Sequence, residues 1–140
     1  MMQMIHSIWA YLVLITLILA VVNAFSGVAS KRVFKDKDLR LSLFTLIFSH
    51  IQLLIGLGVY FSSVAYQNLK AVGIGELDAH SRLLAVEHPL MMIIAIILIT
   101  IGWVRHKKKT DDAKKFITIG LFYGVALLIV LSRIPWSNWF

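Results

Sequence analysis

Residues 86–105 read VEHPLMMIIAIILITIGWVR, and this stretch decides the fold. From 89 to 104 it holds no charged side chain, and it stops at Arg105. A helix needs about 20 mostly apolar residues to cross a bilayer, so 86–104 reads as a transmembrane span. Residues 1–30 and 41–69 also carry no charge, and spans are expected at about 7–25 and 41–62. A fourth, closed by Arg133, is expected at about 116–132. Hydrophobic residues make up 59% of the chain, against about 45–50% in a soluble domain. The mean hydropathy is +0.84. The first apolar stretch lacks the basic segment and short core of a secretory signal, so it reads as a span.

The charges supply the orientation. Lys31, Arg32, Lys35, Lys37 and Arg40 follow the first span, and Arg105, Lys107, Lys108, Lys109, Lys114 and Lys115 follow the third. These loops hold eleven of the 14 basic residues. The positive-inside rule assigns both loops to the cytoplasm. The net charge of +7 is therefore a topology signal. No basic stripe interleaved with surface aromatics marks nucleic-acid binding. The expectation is an all-α, integral membrane four-helix bundle. It is antiparallel and up-and-down, N-out/C-out, one domain over 1–140, multi-pass in the inner (plasma) membrane.

The outer connection, 63–87, carries Glu76, Asp78, His80, Arg82 and Glu87, and is broken by Gly73 and Gly75. From Glu76 it reads as a helix running into the third span, with a kink expected at Pro89. Trp136 and Trp139 suit an interfacial aromatic belt. Gly120 and Gly124 form a G-x-x-x-G pair, read first as helix packing, and Gly56 and Gly58 are read as a close-approach site in the second span.

Ionisable groups inside a span are costly and usually functional, which singles out the histidines. At a rise of about 1.5 Å per residue, His88 lies roughly 25 Å above Arg105 and His6 roughly 28 Å above Phe25. The two sit at matching depth near the outer surface on different helices. His50 is only roughly 15 Å above Arg40. His6 shares a helical face with Ala10, Val13, Leu17 and Ala20, and His88 shares one with Leu84, Met92 and Ala95. Bundle cores host cofactors between facing helices. The expectation is a bis-histidine haem b held by His6 and His88 beside Ala10 and Met92. Arg133 and Arg82 are expected at its propionates. With no cysteine in the chain, covalent c-type attachment, iron–sulfur clusters and zinc–thiolate sites are excluded. Two other readings of the pair stay open: a copper or other metal ion assisted by Met91 or Met92, and structural or proton-handling histidines. His50, beside Gln52, Gly56, Tyr60 and Ser63, fits a hydrogen-bonded helix contact or a quinone pocket, the contact being preferred. His80 is expected to be exposed, as the fallback ligand if Pro89 swings His88 away. His106 is expected in a solvated loop.

Three segments carry a resemblance: HSIWAYL at 6–12, QLLIG at 52–56 and SRLLAVEH at 81–88. They resemble one half of a haem A synthase, a membrane family built from two four-helix haem-binding bundles. The likeness runs over roughly residues 3–101. It implies haem ligation by His6 and His88. It also argues against haem A synthesis. The family's motif glutamate falls on Gln3, its arginine falls on Ser7, and there is one bundle in place of two. The family's span before the first motif has no counterpart ahead of His6. The chain is also similar to small bacterial four-helix membrane proteins of cytochrome b type. The function expected is outer-side electron transfer without independent catalysis. Expected partners are the lipid bilayer, quinone, and a redox protein or larger respiratory complex. The alternative is a non-redox subunit or assembly factor of such a complex. A small transporter is disfavoured by the few polar residues available to line a pore and the absence of an inverted repeat.

Overall fold

A computed structural model describes residues 1–139, which form helices joined by short turns, with no strand among them. The elements are α1 (Met2–Ala29), α2 (Asp36–Phe61), α3 (Val64–Val72), a 3₁₀ turn (Ile74–Glu76) and α4 (Ala79–Arg82). A π-helical turn (Leu83–Glu87), α5 (His88–Lys107), α6 (Asp112–Arg133) and α7 (Trp136–Trp139) follow. Four helical stretches are long and apolar enough to cross a membrane: Met2–Ala29, Asp36–Phe61, Ala79–Lys107 and Asp112–Arg133. The chain is a multi-pass membrane protein.

α2, α5 and α6 outrun their apolar stretches into charged residues, because capping and charge, not hydropathy, decide where a helix stops. At the start of α2 the Asp38 carboxylate accepts the Lys35 backbone N–H at 2.9 Å. Asp36 and Asp38 occupy its first turn, where the helix dipole favours negative charge. Arg105, His106 and Lys107 close α5, where the dipole favours cations. The 63–87 connection is more structured than expected. It contains α3, which Gly73 ends at φ +80°. The next helix starts at Ala79 and not at Glu76, because Asp78 caps it through the Ser81 N–H at 2.7 Å.

Around the bundle, α1 packs on α2 and α6, while α5 packs on α6 and α2. Thus α1 and α5 face each other across the centre. Contacts between neighbours run in opposite sequence directions. From one end of α1 to the other, Asn23 meets Asp38, the Thr45 hydroxyl meets the Thr16 carbonyl, Trp9 meets the Phe48 carbonyl and Gln52 meets the His6 carbonyl. In the same way, His88 meets Arg133 and Gly102 meets Phe122 between α5 and α6.

Lipid supplies no hydrophobic drive between helices, so close packing of small residues holds them together. The Phe116 ring fills the place a side chain at Gly27 would take, at 2.6 Å, and the Phe25 ring lies against Gly120 at 3.1 Å. The dry core, Leu17, Ala20, Ala24, Ala95, Ile99, Phe116, Ile119, Tyr123 and Ala126, fills the half of the bundle toward the basic loops. Its one phenol is satisfied: the Tyr123 hydroxyl donates to the Ser42 carbonyl at 2.9 Å. Below it the buried Asp38 carboxylate accepts from Asn23 at 2.8 Å and from Arg32 at 3.4 Å. Asp38 had read as part of a basic loop; the helix start places it inside. His106 also departs from expectation. It is 1% exposed, against the rings of Phe34 and Trp103 at 5.5 and 4.7 Å. The reason is that α5 carries it inward before the loop begins. Phe34 of the first basic loop touches both His106 and Phe116, so the two basic loops share one end of the bundle.

Candidate cofactor site

The other half of the bundle is not filled. Between the helices lies a cavity of about 520 Å³, lined by α1, α2, α5 and the α6–α7 end of the chain. The volume falls within the ~300–1,000 Å³ of small-molecule and cofactor sites. Its floor is the buried Leu17 and Ile99. The face with His6, Ala10, Val13 and Leu17 lines it from α1, and the face with Leu84, His88, Met92 and Ala95 lines it from the opposite side. Ala10 and Ala95 are the small side chains on these two faces.

The two histidines meet across the centre, with ring centroids 6.3 Å apart and ring planes perpendicular. An imidazole nitrogen binds a first-row metal at about 2 Å, so two rings on opposite sides of one ion would put their centroids about 6 Å apart. The observed spacing fits that requirement. The His88 Nδ1–H donates to the Arg133 carbonyl at 2.8 Å, which leaves Nε2 unprotonated. Metal-binding histidines commonly hold their other nitrogen in this way. His6 lies against α2, with its Cε1 3.2 Å from the place a side chain at Gly56 would occupy. Its Nδ1 is buried and has no hydrogen-bond partner.

Local helix geometry sets the approach of His88. Pro89 has no N–H to give to the carbonyl four residues back. That carbonyl, of Ala85, accepts the Tyr60 hydroxyl at 2.9 Å instead. The π turn Leu83–Glu87 sits immediately before His88. π turns of this kind recur at functional sites. Pro89 therefore does not swing His88 away, and His80 stays exposed on α4.

Arg82 and Arg133 do come together, but around a carboxylate. Glu87 takes Arg82 Nε at 3.1 Å and Arg133 Nε at 3.6 Å. All three side chains are part-exposed at the mouth end, beside His88. His50 stands apart from the cavity lining, on the bundle's outer face. Its Nδ1–H donates to the Leu46 carbonyl at 2.8 Å, and its Nε2 lies 3.4 Å from the Thr100 hydroxyl. That is a helix contact between α2 and α5. The polar residues near it face inward: Gln52, Gly56, Tyr60 and Ser63 all line the cavity. At the mouth, Trp139 lines the cavity and stacks on Tyr11 at 4.5 Å.

Among the described residues no three or more histidine, cysteine or acidic side chains cluster as a metal-ligand set. A bare ion would find two imidazoles. A group that carries the rest of its metal's ligands itself would ask no more of the protein than these two imidazoles. The residues missed by the sequence reading are Tyr60 as the partner of Ala85, the Arg133 carbonyl, and Glu87 as the partner of both arginines. Glu87 lies five residues from Arg82, outside the α-helical pairing distance of three or four, and reaches it across the π turn; nothing in a side-chain pattern marks the second.

Comparison with models of known protein families, with curated proteins and with solved structures finds no match.

Proposed function

We propose that the protein is a membrane b-type cytochrome, an antiparallel up-and-down bundle in the inner membrane with both termini outside. The observation that carries the reading is the His6–His88 pair. Two imidazoles from opposing helices stand 6.3 Å apart in an apolar-walled cavity. His6 and His88 would hold the haem iron, and Ala10 and Met92 would contact the macrocycle. When bound, the haem supplies a reversible one-electron centre, and an iron with both axial positions filled by histidine suits electron transfer more than oxygen binding. The chain's own part is to hold both rings. The Arg133 carbonyl fixes the His88 tautomer, and Gly56 leaves room for His6. Propionates would compete with Glu87 for Arg82 and Arg133, a competition the free chain resolves in favour of Glu87. Outer-side electron transfer between quinol and an outer acceptor, or inside a larger respiratory complex, follows from the position of the pair away from the basic loops.

The test is an absorption spectrum of the detergent-purified protein expressed with ample haem, oxidised and then dithionite-reduced. A sharp Soret band with resolved α and β bands is expected, and both His6→Ala and His88→Ala should lose that low-spin spectrum. A featureless visible spectrum would sink the cytochrome and leave a non-redox subunit or assembly factor, in which the histidines only join helices.

A further inference from the structure

Two buried polar atoms of the described chain lack a hydrogen-bond partner, His6 Nδ1 and Gln52 Oε1. Buried polar groups are nearly always paired, so two orphans ask for one explanation. They belong to residues already in contact. The Gln52 side-chain amide donates to the His6 backbone carbonyl at 2.8 Å. The Nδ1 edge of the His6 ring faces α2 one turn further on, 3.6 Å from the place a side chain at Gly56 would take. Gln52 and Gly56 are four residues apart and so share one face of α2. One orphan is an acceptor with no donor; the other is a ring nitrogen able to carry a proton. The terminal torsions of both side chains are soft.

We propose that Gln52 is the positioning residue of His6: its Oε1 takes the Nδ1–H, which fixes the tautomer and turns an unprotonated Nε2 toward the cavity. The site then has two matched halves. His88 donates Nδ1–H to a backbone carbonyl of α6, and His6 donates Nδ1–H to a side-chain carbonyl of α2. Partners of this kind orient a ligating imidazole and raise its basicity. The two-point grip explains why a glutamine suits the position. Its amide N–H₂ holds the His6 backbone while its oxygen holds the ring, and neither leucine nor glutamate does both. The meaning for iron rests on the cytochrome reading; the tautomer does not.

The experiment has two arms that separate these. In the haem-free full chain, labelled with ¹⁵N-histidine and with the His6 signal assigned by its loss in His6→Ala, nitrogen shifts report the tautomer. The Nδ1–H form is expected in the natural chain, and a shift toward the Nε2–H form in Gln52→Leu. An Nε2–H form in the natural chain, or a spectrum unmoved by Gln52→Leu, overturns the proposal. Should Gln52→Leu fail to fold, the natural chain and Gln52→Glu, which keeps an acceptor and must keep the Nδ1–H form, decide it. In the haem-loaded protein, Gln52→Glu should lower the midpoint potential and Gln52→Leu should raise it. Potentials equal to the natural chain's in both variants overturn the positioning role while leaving the cytochrome intact. A chain that binds no haem overturns the cytochrome, and the ¹⁵N shifts then decide Gln52 alone.

Discussion

His88 and Tyr60 are held by the same device, a side-chain donor aimed at a carbonyl on a neighbouring helix. The Tyr60 hydroxyl donates to the Ala85 carbonyl, to which Pro89, lacking an N–H, cannot give the usual α-helical bond. Interhelical hydrogen bonds in membrane proteins are worth about 0.6 kcal/mol on average and rarely above about 2. Tyr60→Phe should therefore cost about 1 kcal/mol in equilibrium unfolding in detergent. In a Pro89→Ala background, where the backbone N–H returns, the same change should cost clearly less. A double-mutant cycle reads the difference as coupling between the two residues; equal costs in both backgrounds would disprove the link. The sequence made His6 and His88 legible because depth in a membrane is arithmetic on a 1.5 Å rise. Gln52 was half-legible, as one of several polar residues on one stretch of helix. The Arg133 carbonyl was not legible at all, since every residue has one and only packing selects which is used.

Among the elements, the spans were the most readable feature, because a bilayer demands apolar length and the charges at their ends announce themselves. Their true ends were not readable. Helices extend into charged segments wherever a cap or a dipole supports them, as Asp38 does for α2. The short α3 and the late start at Ala79 escaped the sequence reading because they depend on one positive φ at Gly73 and one cap at Asp78. The cap makes a local pH prediction. The Ser81 amide bonded to Asp78 holds this carboxyl below its ordinary range. A depressed carboxyl stabilises its surroundings above the unfolded value, near pH 4, and loses that effect as pH falls through the folded value. Amide exchange in Ala79–Arg82, corrected for intrinsic rates, should speed up below about pH 4. In Asp78→Ala it should be fast at all pH values, while exchange in α5 stays unaffected.

At the scale of the whole molecule, the bundle is divided lengthwise into a solid half at the basic loops and an open half at the histidines. The buried Asp38 with its partners Asn23 and Arg32, and the Phe34–His106–Phe116 rings, close the first; the second keeps about 520 Å³. Charge counting grouped the two basic loops, which share one end, though not that this end would be packed and the other hollow, because volume is set by how side chains meet. Orientation has a clean test, as the chain holds no cysteine. With a membrane-impermeant maleimide on intact cells, Gly75→Cys should label and Lys109→Cys should label only after permeabilisation. The reverse pattern would invert the topology and put the histidine pair on the cytoplasmic side. One bond described above also sets a timetable for biosynthesis. His88 is gripped by a carbonyl 45 residues further along the chain, at the last residue of the final span. Both histidines have left the ribosome, and three helices can already be threaded through the translocon, before that grip exists. A nascent chain arrested inside the fourth helix therefore holds both histidines and no finished pocket, so a truncation ahead of Arg133 should lose the cavity although both histidine codons are intact.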